Sequence, residues 1–266
     1  MQVQTIPLLR DNYAYLLLDK EAGTAVVIDP SEPGPIIQEL DLQGLRLIEI
    51  WCTHHHLDHT GGVAELVHRY GPRHVVGSTY DMKHDRIPYQ NVGVTEETGW
   101  RYGDEEVGVL SLPGHTLGAL GYVISEALFS GDVLFVAGCG YVFEGTMAQM
   151  WSSLEKLRKL KPSIQLYCGH EYALDNLSFA QTVEPNNHAI GAKILSVKAA
   201  LTEGMHSVPS PMGTEFDVNP FLRWDQPEVI AFAARQALSA NASSPISVFS
   251  AIREAKNQFR APPRLG

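Results

Sequence analysis

The sequence has few cysteines and no cluster of basic residues. Its three cysteines, Cys52, Cys139 and Cys168, are odd in number and far apart, which fits neither a disulfide framework nor a paired-cysteine zinc motif. The 20 basic and 30 acidic residues give a formal charge of −10, and no Lys/Arg-rich block is present. Such a charge pattern makes nucleic acid a poor partner, so we expect none.

Membrane-targeting features are missing as well. No apolar run approaches the roughly 20 residues needed to cross a bilayer, and residues 1–10 lack the basic-then-apolar pattern of a secretory signal. We therefore expect a soluble, cytoplasmic protein without a membrane partner, and its cysteines suit a reducing compartment. The 266 residues can bury a real hydrophobic core, in one large domain or in a domain with an appendage.

Short apolar or β-branched runs, several bounded by Gly, Pro, Asp or Asn, predict strands. They cover residues 25–28, 45–52, 74–77, 107–112, 120–124, 128–130 and 164–168. A helix is predicted after Gly61-Gly62, and another runs from Met147 to Leu157 behind the capping residue Thr146. Strands mixed with helices predict a layered α/β fold.

The pattern changes after Tyr172, where the remaining sequence is mainly helical. Helical stretches cover residues 174–182, 189–203, 227–238 and 247–259, the Pro-rich stretch 208–211 interrupts them, and no strand is predicted. We therefore predict two domains, a catalytic α/β domain over residues 1–173 and a helical substrate-binding domain over residues 174–266.

A dense group of possible metal ligands follows the apolar strand 45–52. His54, His56, Asp58 and His59 lie within six residues of one another and precede Gly61-Gly62. Neutral imidazole and carboxylate are ligands for zinc, iron or manganese. A lone His-x-His pair is usually polar surface, but four donors at the end of one strand can converge on a small volume.

Three further strand ends carry the same kind of residue. His115, Asp132 and His170 each follow an apolar run and a glycine, and glycine lets the backbone turn sharply inward. The recurrence predicts a dinuclear site. Two divalent ions, two aspartates and one bridging hydroxide leave a charge of about +1, which favours hydrolysis through an oxyanion without a serine or cysteine nucleophile.

At this point the sequence resembles the metallo-β-lactamase superfamily. The resemblance is carried, in order and spacing, by Asp29, the run Thr53 to His59, His115, Asp132 and His170. Within that superfamily the chain more closely resembles the hydroxyacylglutathione hydrolase, or glyoxalase II, family. That likeness covers most of the chain and is carried by Gly138-Cys139-Gly140, Phe143 to Thr146, Cys168 to Tyr172, Val183-Glu184-Pro185 and Asn219 to Arg223.

The resemblance implies an αββα sandwich with a helical C-terminal domain and two divalent metal ions, zinc, iron or manganese. One ion would be held by His54, His56 and His115, and the other by Asp58, His59 and His170. Asp132 would bridge the two ions, and Asp58 and Asp132 would act in catalysis with a hydroxide shared by the metals. The implied reaction is hydrolysis of S-D-lactoylglutathione to glutathione and D-lactate, a step of methylglyoxal detoxification.

The resemblance also implies residues that hold the glutathione moiety. They match Tyr172, the aromatic Phe143, and the basic pair Arg253 and Lys256, which would bind the glycine carboxylate, although such a pair can also be ordinary solvated charge. The family usually has Lys or Arg where this chain has Tyr141, and a phenol lacks the fixed charge that strengthens a hydrogen bond to a carboxylate. We therefore expect weaker glutathione binding at this position.

Asp29 has two interpretations. It could accept an N–H from a ligand histidine and so fix the orientation of that ring, or it could simply form the turn before Pro30.

Two other enzyme functions stay open on this scaffold, a glutathione persulfide dioxygenase with a single iron and a lactonase. A module that binds RNA or a partner, with structural metals, is a further alternative that the acidic charge disfavours. We expect a monomer acting on a small-molecule glutathione thioester.

Overall fold

The computed structural model describes residues 2–236 and 244–260. The chain forms two six-stranded sheets that pack face to face, with helices on their outer faces. The α/β sandwich predicted from the sequence is confirmed, and every predicted strand is present. Among the described residues, no helix is both long and apolar enough to cross a bilayer.

The first sheet has the strand order β1-β2-β3-β4-β5-β6. Its strands are β1 (Gln2–Leu8), β2 (Asn12–Asp19), β3 (Thr24–Ile28), β4 (Arg46–Trp51), β5 (His74–Ser78) and β6 (Val92–Val94). The helices of this half of the chain are α1 (Gly34–Gln43), α2 (Leu57–Thr60), α3 (Val63–Tyr70) and α4 (Thr79–Lys83). Strands β3 to β6 are parallel, so their carboxyl ends meet at one edge of the sheet.

The second sheet has the order β14-β13-β10-β9-β8-β7. Its strands are β7 (Trp100–Tyr102), β8 (Glu105–Ser111), β9 (Leu120–Ile124), β10 (Ala127–Gly131), β13 (Gln165–Cys168) and β14 (Ser210–Pro211), and β11 (Leu134–Phe135) pairs with β12 (Gly138–Cys139) beside it. Strands β10 and β13 are parallel, and their register shifts between Phe129 and Gly131. Such an irregularity turns the chain at the strand end and re-aims the next side chain, which is Asp132.

Strands in the middle of each sheet, such as β3 and β10, are buried on both faces because these parts of the sheets are covered on both sides. On β3, Val26 and Ile28 enter the core between the sheets, whereas Ala25 and Val27 face the core under α1 and α3. This two-residue alternation follows directly from the pleat of a strand.

Helix α5 (Met147–Arg158) begins at Thr146, which forms a capping box with Gln149. The later helices are α6 (Ala173–Val183), α7 (His188–Thr202), α8 (Met212–Val218), α9 (Pro227–Gln236) and α10 (Pro245–Gln258). Phe179, Phe221 and Phe249 of this region are fully buried in the same core as the second sheet. The sequence did not predict the two-residue strand β14, and the predicted end of the helix over 227–238 lies partly outside the described residues.

Candidate metal centre

The predicted ligands lie where strand ends of the two sheets meet. His54 and His56 belong to the loop after β4, and Asp58 and His59 form the first turn of α2. Asp132 and His170 follow the parallel strands β10 and β13, and His115 lies in the loop between β8 and β9. The structure brings all seven predicted side chains together.

One group of nitrogen atoms converges on a single point. His56 Nδ1 lies 3.1 Å from His54 Nε2 and 3.1 Å from His115 Nε2, and all three ligand atoms lie within 4.8 Å of one another. A tetrahedral ion bound at about 2.0–2.1 Å holds its nitrogen ligands about 3.3 Å apart. The spacing of these three imidazoles therefore fits a metal ion.

A second group consists of Asp58, His59 and His170, whose ligand atoms also lie within 4.8 Å of one another. Asp58 Oδ2 is 3.8 Å from His59 Nε2 and 3.4 Å from His170 Nε2. Carboxylate and imidazole are the donors that zinc, iron and manganese share, so this group also fits a divalent ion.

Asp132 lies between the two groups. Its Oδ1 is 3.3 Å from His59 Nε2, and its Oδ2 is 3.3 Å from His170 Nε2 and 3.6 Å from His115 Nε2. His59 Nε2 and Asp132 Oδ1 are buried and have no hydrogen-bond partner among the described residues. Buried polar atoms are normally satisfied, and a metal ion would satisfy both of these.

Outer hydrogen bonds turn the histidine rings toward the centre. Asp29 Oδ1 accepts the Thr53 N–H at 2.7 Å, and its Oδ2 accepts the Thr53 hydroxyl at 2.6 Å and lies 3.0 Å from His59 Nδ1. The Thr53 Oγ1 atom in turn lies 3.1 Å from His54 Nδ1. The His54 and His59 rings thus have Nδ1 held by a hydrogen-bond partner, and their Nε2 atoms point toward the centre, as in histidines that bind a metal. The structure places Asp29 where the orienting interpretation requires it.

Two more contacts of this kind were not anticipated from the sequence. His170 Nδ1 lies 3.0 Å from Asp11 Oδ1, and His115 Nδ1 lies 2.8 Å from the Tyr141 carbonyl. Asp11 is 159 positions from His170, and its only local signal is a polar residue between two strands. Nothing in the sequence pattern distinguishes it from a turn residue.

The electrostatics of the two groups differ. Burial lowers the pKa of His54 well below its usual value and lowers those of His56 and His115, so these rings are neutral and can donate a lone pair. Burial also disfavours charge on His170, but hydrogen bonding to Asp132 outweighs it and raises the pKa to about 10. Carboxylates that stabilise a proton here can stabilise a metal cation in its place.

Close approach of the backbone shapes the centre at Gly169. A Cβ atom at this position would lie 2.2 Å from Asp132 Oδ1 and 2.7 Å from His59 Cε1. Any side chain would therefore displace Asp132 and His59, which explains why glycine precedes His170.

Aromatic side chains surround the opening of the centre. Phe143 meets His56 and His115 edge to face, with ring centroids 5.7 and 5.3 Å apart, and Tyr141 lies 4.6 Å from Phe143. Tyr172 stacks on His170 at 4.7 Å. The three aromatic residues predicted to contact substrate are all exposed at this opening.

The two predicted basic residues lie farther inside. Arg253 is only 5% exposed, and its Nη1 donates to the Cys139 carbonyl at 2.6 Å and to the Gly140 carbonyl at 3.5 Å. The Lys256 ammonium pairs with Asp175. Arg253 thus supports the Cys139-Gly140 loop from behind, and the Lys256 side chain, only 10% exposed, lies against the start of α6.

A cluster of charged residues lies on the outer side of the aromatic residues at the opening. His55 points away from the two metal groups toward Asp81, Arg86 and Glu144. The Glu144 carboxylate pairs with Arg86 and accepts the Leu117 N–H at 2.9 Å. The hydrogen bonds from Arg86 are the main cause that lowers the Glu144 pKa to about 2, so this carboxylate is ionised near neutral pH.

Comparison with known proteins agrees with this architecture. Residues 9–170 match the family model described as "Metallo-beta-lactamase superfamily", and residues 171–259 match "Hydroxyacylglutathione hydrolase C-terminus". The fold and the ligand cluster therefore define a member of the metallo-β-lactamase superfamily with a divalent metal site.

Relatives named "Hydroxyacylglutathione hydrolase" match along almost the full chain. The protein of Synechococcus sp. (strain JA-3-3Ab) is 42% identical over 261 residues, covering 97% of this chain and 100% of that one. The protein of Vibrio cholerae serotype O1 (strain M66-2) is 43% identical over 259 residues, with the same coverage. The chain belongs to the hydroxyacylglutathione hydrolase family.

Solved structures with the same fold include more distant proteins. "Crystal structure of BLEG-1 B3 metallo-beta-lactamase" aligns with a TM-score of 0.63 at 23% identity, covering 84% of this chain and 100% of that chain. "Crystal structure of TTHA1623 in a di-iron-bound form" aligns with a TM-score of 0.54 at 27% identity, covering 64% and 92%. The first likeness concerns the fold alone, and the second protein carries two irons in its structure.

Proposed function

We propose that this protein hydrolyses S-2-hydroxyacylglutathione thioesters, with S-D-lactoylglutathione as the representative substrate, to glutathione and a 2-hydroxy acid. The observation that carries the proposal is the position of Asp132 between the two groups of candidate ligands. The proposal is supported by relatives that are named for this activity and match this chain along their full length. The reaction would serve methylglyoxal breakdown.

His54, His56 and His115 would hold one divalent ion, Asp58, His59 and His170 the other, and Asp132 would contact both. Zinc is the proposed metal, and iron or manganese would suit the same donors. When bound, two such ions would supply Lewis-acid polarisation of the thioester carbonyl and a lowered pKa for water at the centre.

The chain's own residues would position the reactants and move the proton. Asp58 is 44% exposed at its side chain and accepts a hydrogen bond from Asn12 Nδ2 at 3.3 Å, and its carboxylate is proposed to accept the proton that the attacking water loses. The water oxygen bonds to the carbonyl carbon, the C–S bond breaks, and the electron pair leaves with the sulfur of glutathione. Phe143 and Tyr172 would limit access of other water to the carbonyl.

The glutathione moiety would lie against Tyr141, Phe143 and Tyr172. Lys256 is proposed to meet the glycine carboxylate, in exchange for part of its contact with Asp175. Arg253 is proposed to act through the Cys139-Gly140 loop, and its direct contact with the carboxylate stays a prediction. The proposed division places catalysis in residues 1–173 and substrate binding in residues 174–266.

The substrate proposal is tested by offering the metal-loaded protein a series of acyl-glutathiones while oxygen is monitored. We expect release of glutathione without oxygen uptake. Oxygen consumption with glutathione persulfide, and no thioester loss, would instead identify a persulfide dioxygenase. Lactone hydrolysis without thioester hydrolysis would identify a lactonase. A cytoplasmic monomer stays a prediction that sedimentation and cell fractionation test.

A further inference from the structure

A cleft of about 610 Å³ lies beside the second ligand group. It is lined by the turn between β1 and β2, by the start of α6 and by α7, and its charged side chains include Arg10, Asp11 and Asp175. Tyr172, which stacks on His170, forms part of the same wall. The cleft therefore adjoins the centre on the side where the thiol part of a thioester could extend.

The acidic groups of this cleft already have partners in the protein. Asp11 holds His170, and Asp175 pairs with Lys256. Glu171 accepts the Tyr13 hydroxyl at 2.6 Å and the Ser207 N–H at 2.9 Å. Of these three acidic residues, Asp175 is the one that pairs with a lysine, so an anionic ligand needs a further cation from the lining of the cleft.

Arg10 is different. It is exposed, and its guanidinium makes no hydrogen bond or ion pair with any described residue. The two basic residues predicted from the sequence, Arg253 and Lys256, are not among the residues that line this cleft. Within the described residues that line the cleft, Arg10 is therefore the cation available to a ligand.

The backbone around Arg10 is held on both sides. The Leu9 N–H donates to Glu32 Oε1 at 2.7 Å, the Asp11 carbonyl accepts the Glu171 N–H at 2.8 Å, and the Asn12 side chain donates to the Asp58 carbonyl at 2.9 Å. A side chain on a fixed turn loses less freedom when it binds a ligand than one on a mobile loop.

We propose that Arg10 binds a carboxylate of the glutathione moiety and so determines specificity for an anionic peptide thiol carrier. Glutathione has two carboxylates, and guanidinium forms paired hydrogen bonds to such a group. Arg10 lies outside the catalytic groups, so it acts on substrate affinity. This inference rests on the proposed function and adds a recognition residue to it.

The test compares Arg10→Gln with wild type on two thioesters of the same acid. S-lactoylglutathione carries carboxylates, whereas S-lactoyl-N-acetylcysteamine is a neutral thioester. For the glutathione ester we expect Arg10→Gln to raise KM by about three- to tenfold, since an exposed charge pair is worth about 1 kcal/mol, with kcat within about twofold. For the neutral ester, kcat/KM should not change.

Arg46→Gln is the matched control, because Arg46 is an exposed arginine that lines a separate cavity. The substitution removes the same charge as Arg10→Gln does. We expect it to behave as wild type on both esters. Equal KM values for Arg10→Gln and wild type on the glutathione ester would overturn the inference. An equal loss on both esters would also overturn it, because the defect would then be structural.

Calorimetric titration with S-methylglutathione, which is not hydrolysed, separates this inference from the proposed function. Arg10-dependent binding in a wild-type protein that hydrolyses no acyl-glutathione would reject the proposed function and support the recognition site. Hydrolysis that is insensitive to Arg10, with unchanged S-methylglutathione affinity, would reject the recognition site and leave the proposed function standing.

Discussion

Replacing Asp29 by asparagine tests how far the metal centre depends on a residue that binds no metal. Asp29 has φ of 53°, a left-handed conformation that asparagine also tolerates, so Asp29→Asn adds less backbone strain than alanine would. The amide can still accept the Thr53 N–H through its oxygen. Its NH2 group, however, would face His59 Nδ1, from which the Asp29 carboxylate now accepts a hydrogen bond.

The loss can be estimated from the contacts that change. A hydrogen bond to a charged group contributes about 1.5–3 kcal/mol net, and the one to His59 is buried. At about 1.4 kcal/mol per factor of ten, this corresponds to roughly 10- to 150-fold in affinity for the ion that His59 would hold. Orienting partners of metal-bound histidines typically change metal affinity by about 10- to 100-fold, which agrees.

The assay is competition for zinc against a chromophoric chelator, which resolves the two binding steps. We expect Asp29→Asn to weaken one step by about 10- to 100-fold and to leave the other within a few-fold. Glu49→Gln is the matched control, because Glu49 is a buried carboxylate that accepts the Trp51 indole N–H at 2.8 Å but lies away from the ligands. Unchanged affinities in Asp29→Asn, or an equal loss in Glu49→Gln, would refute the reasoning.

Three further predictions concern stability. Removing the metals with a chelator should lower the unfolding temperature by roughly 8 °C or more, because ligand at about 1,000 times its Kd contributes about 4 kcal/mol; an unshifted transition after verified metal loss would contradict this. Phe249→Ala should cost about 3–5 kcal/mol of unfolding free energy in denaturant titrations, since the Phe249 side chain is fully buried. Ile246→Ala is the control on the same helix and should cost less than about 1.5 kcal/mol, because Ile246 is 37% exposed. Similar losses in the two variants would show that α10 buries a different face. The pKa of Glu144 is depressed from 4.5 to about 2, so its ion pair with Arg86 stabilises the fold above pH 4.5 and is lost as pH falls through 2. The difference in unfolding free energy between wild type and Glu144→Gln should therefore be constant at higher pH and shrink below pH 4.5. A difference that grows as the pH falls would contradict this prediction.

The sequence predicts β3, β9 and β10 from their uninterrupted apolar runs, but it did not predict β2, whose residues are buried almost throughout. It also predicts the metal ligands, because a polar residue directly after such a run must lie at the sheet edge where other strand ends meet. His54, Asp132 and His170 are examples. Strand β1 was also not predicted, and Pro7 interrupts its pattern, which an edge strand tolerates.

Long-range contacts explain what the sequence could not predict. Asp11 acquires its role only because β1 and β2 bring it to His170, and no local pattern records that approach. The position of Arg253 depends in the same way on the packing of α10 against the loop at Cys139. Charge alone predicted a solvated or ligand-binding arginine, whereas the structure buries it against two carbonyl groups.

The central claim is that two metal ions, both held by this chain, act on a glutathione thioester. The most direct test is to strip the protein of metal and to follow S-D-lactoylglutathione hydrolysis while zinc is added in measured equivalents. The account predicts almost no activity in the stripped protein and a plateau at two equivalents per chain. Full activity without metal, or a plateau at one equivalent, would contradict it.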